Sequence, residues 1–284
     1  MRLFLDPSRV LALGFASAIL VGGAILALPV AQRGEPVALL DAIFTAASAV
    51  CVTGLTVVDT GTRFNGFGQA IILLLIQIGG VGITTVSTVV FLLLRQSVSL
   101  SSMEAVTGSF FRHRDVAFST LLRRVLLWTF AIEGCGAVFL FLEESRRLPL
   151  AEALWMSVFH AVSAFCNAGF GLRPDNLISD RTNATIVLPI TALIVLGGLG
   201  FSVLTEVADW LRKPAATRRR LSLHSKTALT MTAILIVGGM LAFAILERKN
   251  IFAHASSTDV ALTSLFASVT ARTAGFNTVD YGQL

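Results

Sequence analysis

The sequence predicts an all-α polytopic membrane protein built from repeated units of span, half-span and span. Three observations carry this. Of the 284 residues, 55% are hydrophobic and only 14% charged, where a soluble domain carries about 25% charged residues. Five apolar stretches are long enough to cross a bilayer, which takes about 20 residues: 10–30, 67–94, 125–142, 185–204 and 227–246. Three shorter apolar stretches, 39–50, 150–165 and 260–270, alternate with them, and each ends at one copy of a repeated phrase.

The phrase reads Phe44-Thr-Ala-Ala-Ser-Ala-Val-Cys-Val-Thr-Gly54-Leu55 in its first copy. The second reads Phe159-His-Ala-Val-Ser-Ala-Phe-Cys-Asn-Ala-Gly169-Phe170, and the third Phe266-Ala-Ser-Val-Thr-Ala-Arg-Thr-Ala-Gly275-Phe276. Each is rich in small residues and closes on a glycine followed by a large apolar residue. Ser48 and Ser163 precede their glycines by equal steps, whereas Ser268 is offset by one, so the third copy is the looser match. An internal repeat of this length divides the chain as follows. Residues 1–94 form the first unit, 95–124 a linker, 125–211 the second unit, 212–226 a basic linker and 227–284 the third unit, truncated before its second span.

The first stretch, 10–30, follows Arg2 and Arg9 and has the composition of a signal peptide. Its 21 residues and the lack of a small-x-small cleavage site favour a retained first span. Orientation follows from Lys and Arg, which concentrate on the cytoplasmic side. With a cytoplasmic N-terminus, inner segments hold 13 Lys and Arg in 55 positions and outer segments 9 in 116. The three half-spans then enter from outside. The cluster Arg212-Lys213 with Arg218-Arg219-Arg220 reads as topogenic, with a cytosolic or lipid docking surface left open. The pI near 9.7 is accounted for by this loop bias rather than by nucleic-acid binding.

Non-helical backbone at membrane depth is tolerated only where it is buried in protein or lines a water-filled path. Three half-spans ending in glycine therefore point to a single pore along the axis of the repeats. Glycine reaches positive φ without a steric penalty and aims successive carbonyls along one line, and carbonyls so placed replace a cation's hydration shell. The C-terminal end of each half-helix adds partial negative charge. The candidate ion-selectivity filter comprises Val52, Thr53 and Gly54; Asn167, Ala168 and Gly169; Thr273, Ala274 and Gly275. Thr53 and Thr273 are candidates for added hydroxyl ligands. Asp59, Asp175 and Asp280 follow the three glycines by five or six residues and form a candidate outer acidic rim; ordinary solvated loop acids are the competing reading.

Asp41, Glu152 and Asp259 stand at the expected starts of the half-helices, where negative side chains favour helix N-termini, and read as capping residues rather than catalytic ones. Arg272, a cation beside a cation path, is expected behind the filter, paired with an acid or with backbone carbonyls. Gln77-Ile78-Gly79-Gly80-Val81-Gly82 and Gly197-Gly198-Leu199-Gly200-Phe201 occupy matching places in the spans after copies one and two. No strand precedes either, so neither is a dinucleotide fingerprint; close helix packing in lipid is the leading reading, with flexibility for gating left open. Glu133, with Gln77 as its main polar companion, is the acid deep inside a span; a functional role and a structural bond to a neighbouring helix both stay open.

Cys51, Cys135 and Cys166 form no CxxC pair and lie in apolar segments, which argues against disulfides or a transition-metal site. His113, His160, His224 and His254 are scattered, and neither HExxH nor GxSxG occurs, so an enzyme is not expected. His160, inside a half-span, reads as a packed, hydrogen-bonded residue.

The chain resembles the Ktr/Trk/HKT superfamily of potassium transporters over nearly its whole length, and within it the KtrB-type membrane subunits of bacterial K⁺ uptake systems. The resemblance rests on Val52-Thr53-Gly54-Leu55 with Val57-Val58-Asp59-Thr60-Gly61, on Asn167-Ala168-Gly169-Phe170, and on the run from Thr270 to Asp280. It implies four span–pore-helix–span units around one pore, with Gly54, Gly169 and Gly275 as filter glycines and Gly54 favouring K⁺ over Na⁺. It also implies a homodimer in the bacterial inner membrane, a cytosolic nucleotide-binding regulatory subunit, K⁺ as transported ion with Na⁺ as a coupling or activating ion left open, and no bound cofactor. Channel-like passage is the leading reading and Na⁺- or H⁺-coupled secondary transport the alternative. Against that frame the chain is expected to be a fragment, because it stops after the third phrase.

Overall fold

The computed structural model describes residues 7–94, 118–212, 220–253, 255–280 and 282. The described residues are helical, with one isolated antiparallel bridge between Gln32 and Phe64. The first unit consists of α1 (Pro7–Leu26), α2 (Leu39–Val50), a single turn α3 (Thr60–Arg63) and α4 (Gly66–Leu94). The second consists of α5 (Phe118–Glu144), α6 (Leu150–Phe165), α7 (Ala184–Leu199) and α8 (Phe201–Arg212). The third holds α9 (Leu223–Leu246) and α10 (Ser257–Thr273). Linker residues 95–117 and 213–219, including Lys213, Arg218 and Arg219, lie outside the described residues.

The half-helices are short for a physical reason. At 1.5 Å per residue the 12 residues of α2 rise about 18 Å, against a hydrocarbon core of about 30 Å. Each ends instead inside the protein, with α2 held by α1 and α4, α6 by α5 and α7, and α10 by α9 and α7. Two cores result. One joins the first unit to Phe159 and Val162 of α6; the other joins the second unit to Phe266 and Val269 of α10. α6 also gives Ala161 and Ala164 to the second core, so the central half-helix belongs to both.

α5 and α9 are long and apolar enough to span a membrane. The span expected over 185–204 is not straight. It breaks between α7 and α8 with a bend of 105°. The cause is Gly200, whose φ of +81° is easy only for glycine. α8 thus leaves the direction of α7, and its Glu206 accepts hydrogen bonds from the Ser222 N–H (2.6 Å), the Ser222 hydroxyl (2.7 Å) and the Ser225 hydroxyl at the start of α9.

Candidate functional site: three converging glycine loops

The site is assembled from the C-terminal ends of α2, α6 and α10. In the first two the chain leaves the helix through the same double hydrogen-bonded cap. Val52 N–H donates to the Ala49 carbonyl (3.2 Å) and Thr53 N–H to the Ser48 carbonyl (2.9 Å). Asn167 and Ala168 repeat this on Ala164 (3.0 Å) and Ser163 (2.7 Å). Such a cap needs a left-handed residue just past the helix, and Val52 and Asn167 take it, at φ +56° and +59°. For β-branched Val52 this is strain of about 1–2 kcal/mol. α10 runs closer to its glycine: Ala274 N–H donates to Thr270 (3.0 Å), and Gly275 itself takes the left-handed position. That is the structural content of the offset in the third phrase.

Gly54, Gly169 and Gly275 share one conformation, with φ of +74°, +72° and +73°. They also meet. A Cβ on Gly54 would lie 2.6 Å from the Ala168 carbonyl oxygen and 3.2 Å from the Gly169 Cα. A Cβ on Gly169 would strike the Ala274 carbonyl oxygen and lie 3.0 Å from the Gly275 Cα. One on Gly275 would lie 3.5 Å from the Thr53 oxygen and 3.8 Å from the Gly54 Cα. The structure therefore brings the three predicted loops to one place, each glycine facing the next loop.

Hydroxyls hold the loops from behind. Ser163 donates to the Phe170 carbonyl and Thr270 to the Phe276 carbonyl, both at 2.7 Å. The hydroxyls proposed as extra ligands have protein partners: Thr53 donates to the Ser48 hydroxyl (3.0 Å) and Thr273 to Asn167 Oδ1 (2.8 Å). A bridge that local sequence does not reveal joins loops two and three. Asn176, itself at φ +59°, donates to the Gly169 carbonyl (3.4 Å) and accepts from Asn277 N–H (3.3 Å).

The candidate rim acids are tied to their own loops. Asp59 caps α3 by accepting from Thr62 N–H (2.7 Å) and hydroxyl (2.6 Å), Asp175 accepts from Ser179 N–H (2.8 Å), and Asp280 from Gly282 N–H (3.0 Å). Partial burial raises the Asp175 pKa, but hydrogen bonds from Ser179 and the Arg173 charge outweigh it and hold the carboxyl below its ordinary value. Asp41, Glu152 and Asp259 each occupy the first turn of a half-helix, two residues past the first helical position. The capping positions themselves belong to Ala38, Pro149 and Ser256, so the acids act on the helix dipole rather than as caps. His160 is packed: Nδ1 donates to the Met156 carbonyl (3.0 Å) and Nε2 accepts from Leu172 N–H (3.4 Å).

Arg272 departs from expectation. Its guanidinium has no acid or carbonyl partner among the described residues and rests where a Cβ of Gly198 would be, 2.6 Å away. The paired glycines thereby acquire a role. Gly79 and Gly197 sit against the last helical carbonyls of α2 and α6, those of Val50 and Phe165. Gly80 and Gly198 receive the side chain three residues before the next glycine, Cys166 and Arg272. Beside Cys166, the Gln77 amide donates to Glu133 Oε2 (3.2 Å), and the Cys166 thiol has Gln77 Oε1 (3.9 Å) and Glu133 Oε1 (3.8 Å) as acceptors. Glu133 is bonded to a neighbouring helix and buried. The three cysteines are free.

The family model TrkH, described as a cation transport protein, matches residues 15–284. The chain belongs to this family. It is 38% identical over 282 residues to the potassium/sodium uptake protein NtpJ of Enterococcus hirae, covering 99% of this chain and 61% of that protein. It is 40% identical over 280 residues to the Ktr system potassium uptake protein B of Bacillus subtilis, covering 98% and 62%. To the protein of the same name in Vibrio alginolyticus it is 34% identical over 277 residues, covering 97% and 60%. The chain thus spans about 60% of the length of these curated relatives. The resemblance read from the glycine phrases holds, and the all-α, multi-pass membrane architecture is that of the family.

Proposed function

We propose that this chain forms the translocating part of a potassium uptake system, passing K⁺ in channel-like fashion between backbone carbonyls at Gly54, Gly169 and Gly275. The observation that carries this is the convergence of three half-helix C-termini on three glycines of one φ. The partial negative charge of those termini favours a cation, and glycine keeps carbonyls free to replace water around it. The names of the relatives, potassium uptake proteins of Ktr systems, support K⁺ as substrate and a system of more than one component, in which a cytosolic regulatory subunit is the partner that the family resemblance implies. A homodimer in the inner membrane with a cytoplasmic N-terminus completes the reading; the basic-residue bias supports the orientation, which external thiol labelling of Asn250→Cys in a cysteine-free background checks. A second reading, uptake coupled to Na⁺, draws on the name of the Enterococcus relative, a potassium/sodium uptake protein.

The test uses the full-length protein that carries this sequence, expressed in cells lacking K⁺ uptake. Growth at low K⁺ and uptake of K⁺ in preference to Na⁺ are expected, with the preference reduced by Gly169→Ser. Absence of K⁺ uptake at normal membrane levels, or an unchanged preference in Gly169→Ser, would overturn it. A strict Na⁺ requirement for K⁺ entry would replace channel-like passage by the coupled reading.

A further inference from the structure

We propose that Gln77 and Glu133 are specificity-determining positioning residues, which set the second glycine loop by holding Cys166. The inference rests on the filter reading above.

Gln77 belongs to α4 of the first unit, Glu133 to α5 of the second, and Cys166 caps the C-terminus of α6, three residues before Gly169. The Gln77 amide spans the pair, donating to Glu133 and offering its oxygen to the thiol. The Glu133 carboxyl is 4% exposed. A carboxyl at membrane depth is costly unless its oxygens are hydrogen-bonded; here Oε2 accepts from the Gln77 amide and Oε1 has the thiol as its donor within reach. The one S–H of Cys166 has the Gln77 and Glu133 oxygens as alternative acceptors, and with either the thiol is held against a neighbouring helix. Gly80 makes room for it, since a Cβ there would lie 2.6 Å from Cys166 Sγ.

The thiol's neighbours explain why its position matters for ions. Asn167 follows at φ +59°, and then Ala168, whose carbonyl oxygen faces Gly54. From the held thiol to that carbonyl the backbone passes through a single left-handed residue. A shift of the cap moves the carbonyl. At the other junction the place of Gln77, two residues before the glycine pair, is taken by Val195, and that of Cys166 by Arg272. The support is thus particular to the second loop.

The experiment measures the K⁺ to Na⁺ uptake ratio of the full-length protein at matched membrane levels. Glu133→Ala, Gln77→Ala and Cys166→Ala are expected to lower the ratio by about fivefold, the scale of one buried hydrogen bond. The double variant Glu133→Ala/Gln77→Ala should fall no further than the singles, as members of one network are not additive. Glu133→Gln, which keeps shape and an acceptor for the Gln77 amide, should retain most of the ratio, and Cys166→Ser, which keeps shape and a donor, should retain it. So should Gly134→Ala, whose Cβ would meet nothing within 4 Å. If Glu133→Ala does not reach the membrane, Cys166→Ala decides. An unchanged ratio in Cys166→Ala while Gly169→Ser shifts it overturns this inference and leaves the filter reading standing. Loss of the ratio in Glu133→Gln would overturn the positioning role in favour of the carboxyl charge. No change in Gly169→Ser would remove the filter reading itself.

Discussion

Two junctions join the three units, and they obey one backbone rule with opposite side-chain chemistry. At the first, Gly79 lets the Val50 carbonyl close on α4 and Gly80 receives Cys166; at the second, Gly197 lets in the Phe165 carbonyl and Gly198 receives Arg272. The first junction then buries an amide and a carboxyl beside its thiol. The second leaves a guanidinium without an acid partner among the described residues and ties Thr273 to Asn167 instead. The repeat therefore conserves the close approach of helix end to helix, which only the absence of a Cβ permits. What fills the space behind each loop is free to differ, because it acts through side chains.

The largest expected effect tests the backbone half of this rule. Gly197→Ala places a Cβ on the Phe165 carbonyl, and Gly79→Ala one on the Val50 carbonyl. Neither obstacle can rotate away, so each variant should lose well over the ~1–3 kcal/mol typical of overpacking, read as loss of monodisperse protein extracted from the membrane. At Gly198 the obstacle is the end of the flexible Arg272 side chain, so Gly198→Ala should leave most of the yield intact. Equal losses at Gly197 and Gly198 would break the distinction.

The next effect ranks the loops themselves. Serine at Gly54, Gly169 or Gly275 meets the same positive-φ cost of about 1–2 kcal/mol. The surroundings differ: the nearest backbone atom to a Cβ is 2.6 Å away at Gly54, closer still at Gly169, and 3.5 Å away at Gly275. The loss of K⁺ over Na⁺ preference should therefore be largest for Gly169→Ser, then Gly54→Ser, then Gly275→Ser, at matched protein levels. Equal losses would show that conformation alone, and not contact between loops, governs the site.

The smallest effect concerns the acids beyond the loops. Asp59, Asp175 and Asp280 cap their own turns, and their reach to an ion passes through water. Charges so placed act within a Debye length of about 10 Å at 0.1 M salt. The triple change to Asn should lower K⁺ uptake by about twofold or less at low ionic strength, with no loss at high salt. A large loss that persists in high salt would make them ligands.

The helices, their order and the glycine turns were legible because they depend on neighbours in sequence. Apolar length separates span from half-span, and glycine marks the turn. Glu133 stood out as an acid in apolar surroundings, and its bond to another helix was one of the two readings left open. The same local logic misread Gly200, taken as a packing glycine within a continuous span, where its positive φ bends the chain. It missed Asn176, whose partner Asn277 lies 101 residues away. It gave no sign that Val52, a β-branched residue, would sit at φ +56°, the left-handed place that the cap of α2 requires.

By itself, then, the sequence determined that this is a membrane protein of repeated units with three glycine-ended half-spans, since hydrophobic length and φ preference are properties of short segments. Only the tertiary structure decided that the three glycines face one another and which side chain stands behind each loop. Those outcomes depend on how closely helix backbones from different units approach, a distance set by packing between residues far apart in the chain.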